Sequence, residues 1–211
     1  AIDAVLPADD LRPRLLMSGM LANAAIVRAV ADGVRAHDLR PFVLDPVMVA
    51  TSGDPLVERD AVAAIRGDLL PLADLVTPNL DEATILCGED VADVPAMERA
   101  ARRLVQDGAG AALVKGGHLR NGPAIDVLYA GGALVELEAP RLDSANTHGT
   151  GCTLSAAIVA GLGSGMDLVS AVTRAKRYVT AAIAAAAPWE LGAGPGPLDH
   201  EVWNGRRGER A

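Results

Sequence analysis

The sequence predicts an α/β protein: a three-layer α/β/α sandwich around a mainly parallel central sheet, with one antiparallel hairpin late in the chain. Three observations predict it. Segments with apolar residues at helical spacing alternate with short apolar runs stopped by proline or glycine, and this unit recurs three times between residues 23 and 117. A Gly-Gly pair then separates two strand-like runs, and two alanine-rich helical stretches complete the core.

Taken in order, "NAAIVRAVADGVRAH" (23–37) predicts a helix behind an Asn23 cap, and "PFVLDP" (41–46) a buried strand stopped by proline. "ERDAVAAIRGDLLPL" (58–72) reads as one helix, "DLVTP" (74–78) as a strand and "LDEATILCG" (80–88) as a short helix. "AMERAARRLVQDG" (96–108) reads as a helix and "AALVKGG" (111–117) as a strand. "IDVLYAGGALVELE" (125–138) is a hairpin, because adjacent glycines suit the tight turn that strand twist favours. Helices at about 150–163 and 167–187 follow. A single domain over 1–203 is expected, with 204–211 a disordered tail, since "NGRRGERA" is polar and without pattern.

Composition excludes several classes. The chain has 211 residues, 50% of them hydrophobic, and a net charge of −8, so no basic field exists to attract nucleic acid. Phe42, Tyr129, Tyr178, Trp189 and Trp203 are its only aromatic residues, too few to form a base-stacking platform. No apolar run reaches the roughly 18–20 residues of a membrane span, and the alanine-rich stretch 179–187 ends at Pro188. The first residues have neither the basic flank nor the apolar heart of a secretory signal. Cys87 and Cys152 lie far apart, the usage of a reduced protein, so a cytoplasmic location is expected.

Open α/β sheets bind ligands at the carboxyl ends of their strands. Four such ends run into polar turns: "DPVMVATSGDPL", "TPNLDEA", "KGGH" and "THGTGC". In the last, Gly149, Thr150 and Gly151 let backbone N–H groups approach an anion, and the helix behind them adds unpaired amides and a positive dipole end. Phosphate is the expected anion, although no G-x-x-x-x-G-K-[ST] loop is present. Cys152, on the first helical turn, is placed for its thiol pKa to fall toward neutrality, as a nucleophile or a base, and a base suits phosphoryl transfer better. The bland alternatives are specific. Cys152 reads equally as a small buried hydrophobe, Glu82 as a surface charge, Asp45 as a turn or cap residue, and His118 and His148 as loop histidines. Lys115 is one of two lysines against 17 arginines. Cys87 reads as structural.

The stretches "DPVMVATSGDPL", "TPNLDEA", "LVKGGH" and "NTHGTGCTLSAAI", in that order, with "SGML" at 18–21 and "GAGPGPLDH" at 192–200, resemble the hydroxymethylpyrimidine/phosphomethylpyrimidine kinases of thiamine biosynthesis, within the ribokinase-like superfamily. The cysteine of "GTGC" is the sharpest match, since many ribokinase relatives carry aspartate there. The resemblance implies an ATP- and Mg²⁺-dependent kinase acting on a small pyrimidine, with a homodimer the arrangement common in the family. It implies that Gly149, Thr150 and Gly151 form the anion hole and Cys152 is the base. Asn79, Lys115, Gly117, Thr147 and Thr150 would contact ATP, Glu82 and Asp45 the metal, and Met20, Val47 and Cys152 the pyrimidine.

Two departures stand beside the matches. The family's first strand and its glycine-rich "GSD…GGAG" loop have no counterpart, so the domain is expected to be N-terminally incomplete relative to the family. Pro195 stands where relatives tend to have histidine, while His200 matches. Alternative readings are therefore a pyridoxal/pyridoxine kinase of the same fold, or an inactive nucleotide- or pyrimidine-binding protein.

Overall fold

A short side chain with an oxygen acceptor starts each of four helices: Asn23 before α1 (Ala24–His37), Asn79 before α3 (Leu80–Cys87), Asp93 before α4 (Val94–Gln106) and Asp167 before α6 (Leu168–Ala186). Each accepts a hydrogen bond from the backbone amide three residues on, satisfying a donor that the helix itself cannot. These elements come from a computed structural model that describes residues 15–50, 54, 56–117, 119 and 122–203. Residues 1–14, the expected tail 204–211 and His118 lie outside the described residues.

The strands form one six-stranded sheet in sequence order. β1 (Leu16–Ser18), β2 (Phe42–Leu44), β3 (Leu75–Val76) and β4 (Ala111–Gly116) are parallel neighbours. β5 (Ala124–Ala130) and β6 (Ala133–Ala139) are added antiparallel. The Gly131-Gly132 turn between them has φ of 56° and 85°, which only glycines adopt without cost. The period of two divides the sheet residues between two cores. Phe42, Leu44, Val76, Ala112, Val114 and Val127 pack toward α1, α2 (Arg59–Ala64), α3 and α4. Val43, Leu75, Ala111, Leu113, Leu128 and Leu137 pack toward α5 (Thr150–Gly163) and α6. The predicted three-layer sandwich with its late hairpin is thus present. Successive parallel crossovers put all four early helices on one face, and the two late helices cover the other.

Three elements differ from the reading of the sequence. The single helix expected over 58–72 is α2 followed by a π-helical turn, Ile65–Leu69, and a 3-10 turn, Leu70–Leu72. Pro71 offers no amide to continue an α-helix. β3 is only two residues long, and β1 was not anticipated, because three residues are too few to display a period. β6 runs parallel to β4 through two reversals, so its carboxyl end lies on the same sheet edge as those of β1 to β4. All the motif-bearing turns therefore share that edge.

Candidate active site

Asp45 follows β2, Thr77 follows β3 and Lys115 is the fifth residue of β4; continuing the alternation of their strands, all three face α5. Asp45 has no exposed side-chain surface, and its Oδ1 accepts from Lys115 Nζ at 2.8 Å and from Thr77 Oγ1 at 3.2 Å. The Thr77 hydroxyl also lies 3.0 Å from that of Ser155 on α5, whose Oγ donates to the Gly151 carbonyl. Asp45 Oδ2 is buried with no hydrogen-bond partner among the described residues. A buried carboxylate oxygen without a hydrogen bond is costly.

That helix start is built differently from the others. Gly149, the N-cap of α5, has φ of +83° and no side chain to cap with, and the turn is closed by Thr150, whose Oγ1 donates to the Thr147 carbonyl at 2.6 Å. The amides of Gly151 and Cys152 are therefore not taken up by a capping side chain. A Cβ on Gly151 would lie 3.2 Å from Lys115 Nζ, so glycine there admits the ammonium close beneath the helix. Asn146 anchors the loop from behind. It is buried, and its Nδ2 donates to the carbonyls of Ala186 and Trp189, both at 2.8 Å. His148 donates its amide to Gly196, which brings the 192–200 segment against this loop, with Pro195 exposed in it. His200 accepts on its carbonyl from the Tyr178 hydroxyl.

Cys152 corrects one expectation. Its thiol pKa is raised above the ordinary 9.0, not lowered toward neutrality. Desolvation of the sulfur is the largest cause, although the residue as a whole is exposed, and the Asp45 carboxylate is the next, with Lys115 opposing both. Desolvation first, and then the Asp45 charge that the sheet brings beneath it, outweigh what would lower the thiol. The bland reading of Cys152 as a buried hydrophobe fails with its exposure. Cys87 closes α3 half-buried, its thiol pushed up to about 11 first by burial, as a structural cysteine should be.

The second turn on the edge is closed where the first is open. Asn79 Oδ1 accepts from Glu82 N and Glu82 Oε2 accepts from Asn79 N, both at 2.8 Å, a complete capping box. Glu82 is not a surface charge but only 2% exposed, and burial raises its pKa, with Lys115 and the Asn79 amide opposing. Lys115 N donates to the Pro78 carbonyl, which locks this turn to β4. Among the described residues no three His, Cys, Asp or Glu side chains converge as a metal cage. A hard cation completed by water and phosphate oxygens fits such a donor set, with the open Asp45 Oδ2 as one oxygen. Gly117 sits in the turn leaving β4. Met20 and Val47 occupy the turns after β1 and β2, with Met20 53% exposed. Thr147 and His148 are exposed at the rim.

Thr77, Ser155 and Asn146 were not predicted as site residues. Thr77 and Ser155 act through each other from elements far apart in sequence, which no local pattern reveals. Ser155 lies one helical turn beyond Gly151, and that spacing was the available signal.

An uncapped helix start above a lysine, with an exposed cysteine on its first turn and all of them on the carboxyl edge of the parallel strands, fits a phosphotransferase of the ribokinase-like class. The chain belongs to the phosphomethylpyrimidine kinase family, whose model matches residues 2–199. It is 50% identical over 200 residues to the hydroxymethylpyrimidine/phosphomethylpyrimidine kinase of Rhizobium meliloti, covering 94% of this chain and 74% of that one. It is 45% identical over 199 residues to a thiamine biosynthesis bifunctional protein of Geobacter sulfurreducens, covering 94% and 40%. Among solved structures, pyridoxal kinase from Staphylococcus aureus in complex with ADP superposes with a TM-score of 0.88 at 31% identity, covering 97% of this chain and 73% of that one.

Proposed function

We propose that this chain, as one domain over 1–203, is a cytoplasmic ATP-dependent kinase. It phosphorylates 4-amino-5-hydroxymethyl-2-methylpyrimidine and then its monophosphate, in thiamine biosynthesis. The observation that carries the reading is the uncapped start of α5, with Lys115 beneath it and Cys152 at its lip. The amides of Gly151 and Cys152 hold the oxygens of the transferring phosphoryl group, and Lys115 answers the charge that spreads over them. Gly149 and Thr150 shape that hole, while Asn79, Gly117 and Thr147 line the nucleotide side.

Cys152 Sγ, as the thiolate, accepts the proton of the substrate hydroxyl as the new oxygen–phosphorus bond forms and the bond from the γ-phosphorus to the bridging oxygen breaks, with ADP as the leaving group. Its raised pKa makes the thiolate a strong but scarce base, so turnover rises with pH. Magnesium, when bound, neutralises charge between the phosphates, and Asp45 Oδ2 with Glu82 would hold it. Met20 and Val47 cover the two sides of the flat ring with apolar atoms, which also keeps water from competing for the phosphoryl group.

The pyridoxal reading shares fold and chemistry, and the TM-score of 0.88 reflects that shared fold without choosing the substrate. The 50% identity to a pyrimidine kinase, against 31% to a pyridoxal kinase, supports the pyrimidine. ADP release with Mg·ATP, measured with hydroxymethylpyrimidine and with pyridoxal side by side, decides between them. The expected result is release that depends on the pyrimidine. Release that depends on pyridoxal alone, or on neither compound, would overturn it.

A further inference from the structure

The chain has two lysines and 17 arginines, and both lysines are withdrawn from the surface. Lys115 pairs with Asp45 and Lys176, on α6, pairs with Asp126, on β5; each N···O distance is 2.8 Å. Wherever a cation lies on the surface the chain uses arginine. The two exceptions each place an ammonium 2.8 Å from a buried carboxylate. The pairs are also neighbours, because Lys115 and Asp126 are cross-strand partners in the β4–β5 ladder.

Asp126 is 7% exposed, and both its oxygens are used. Oδ2 takes Lys176 Nζ, and Oδ1 accepts from the backbone amide of Gly116 at 2.9 Å. Gly116 is the last residue of β4, between Lys115 and the turn at Gly117. The chain's exit from β4 is thus fixed by a side chain. Gly116 itself cannot be enlarged, since a Cβ there would collide with the Ile125 carbonyl. Lys115 is held from two directions: its ammonium by Asp45, and its backbone by the Asp126–Gly116 bond.

We propose that Asp126 is a positioning residue for the nucleotide site: it aims Lys115 and the Gly116-Gly117 turn at the phosphates, while Lys176 neutralises its buried carboxylate. This rests on the reading of the α5 start as a phosphate site. The effect is on ground-state nucleotide binding, because the group aimed is the cation that meets phosphate charge.

Removing one member of a buried pair strands the other, so neutral double variants are the clean comparison. Lys176→Met with Asp126→Asn keeps an acceptor for the Gly116 amide, whereas Lys176→Met with Asp126→Leu removes it. Mg·ADP affinity is measured by calorimetry, alongside melting temperature and the KM values for ATP and hydroxymethylpyrimidine. The Leu double variant is expected to bind Mg·ADP about tenfold more weakly, the scale of one charge-assisted hydrogen bond. The Asn double variant should stay within about twofold of the parent, and the KM for the pyrimidine should stay unchanged in both. A Leu double variant that binds Mg·ADP as the parent does, or equal losses in both doubles, would overturn the assignment. A parent chain that does not bind Mg·ADP would instead overturn the phosphate-site reading itself.

Discussion

Two helices begin on the same sheet edge and are finished in opposite ways. α3 is sealed by a reciprocal capping box, with Glu82 buried to complete it, while α5 begins at a left-handed glycine with no capping side chain. The amides of α3 serve the fold, and those of α5 stay open to a ligand. The difference is reinforced below each helix. Under α5 the sheet places Lys115 and an Asp45 oxygen without a partner, whereas the α3 start is tied back to β4 through Pro78 and Lys115 N. Two helix starts on one edge thus differ in whether a side chain takes up their first amides.

The comparison breaks most severely at Cys152. Cys152→Ala is expected to lower turnover by a factor on the order of 10² or more with little change in ATP affinity, as loss of a general base does. The parent's turnover should climb about tenfold per unit between about pH 6 and 8, because the thiol's raised value leaves little thiolate at neutrality, and the residual rate of the variant should be flat. A parallel slope in both would remove Cys152 from the proton path.

Gly151→Ala sharpens the contrast at about a tenth of that effect. Its Cβ would lie 3.2 Å from the Lys115 ammonium, which must shift by a few tenths of an ångström, so the KM for ATP should rise about tenfold while melting temperature changes little. An unchanged KM would show that Lys115 does not work at the helix start.

The smallest effect is on stability, at the sealed helix. Glu82 has a folded-state pKa above 4.5, so its contribution favours the fold below that value and is lost as pH rises through the raised one. At neutral pH the buried carboxylate is therefore a cost. Glu82→Gln, which can still accept from Asn79 N, should melt a few degrees higher than the parent at neutral pH and show no gain near pH 4. The same variant should need more Mg²⁺ for turnover if the carboxylate is kept for the metal; a parental Mg²⁺ titration would remove that role.

Much of this was legible in the sequence because it is local. Gly149 to Cys152, the Asn79–Glu82 spacing, the Asn23 cap and the Gly131-Gly132 turn each carry their geometry within a few residues. What was not legible depends on distant partners. The upward shift at Cys152 comes in part from Asp45, which only the sheet brings near, and Thr77 gains meaning only from Ser155. Glu82 looked like a surface charge because burial is a property of the whole fold. The π-helical turn in the predicted helix 58–72 and the three-residue β1 lie below what periodicity resolves.

The most direct test follows backbone amide resonances through a titration with Mg²⁺ and AMP-PCP, an ATP analogue that keeps the γ-phosphoryl group. The amides of Gly151 and Cys152 are expected to move most, and further than the Glu82 amide, which is already bonded to Asn79. Movement at Glu82 with the α5 amides stationary would contradict that expectation.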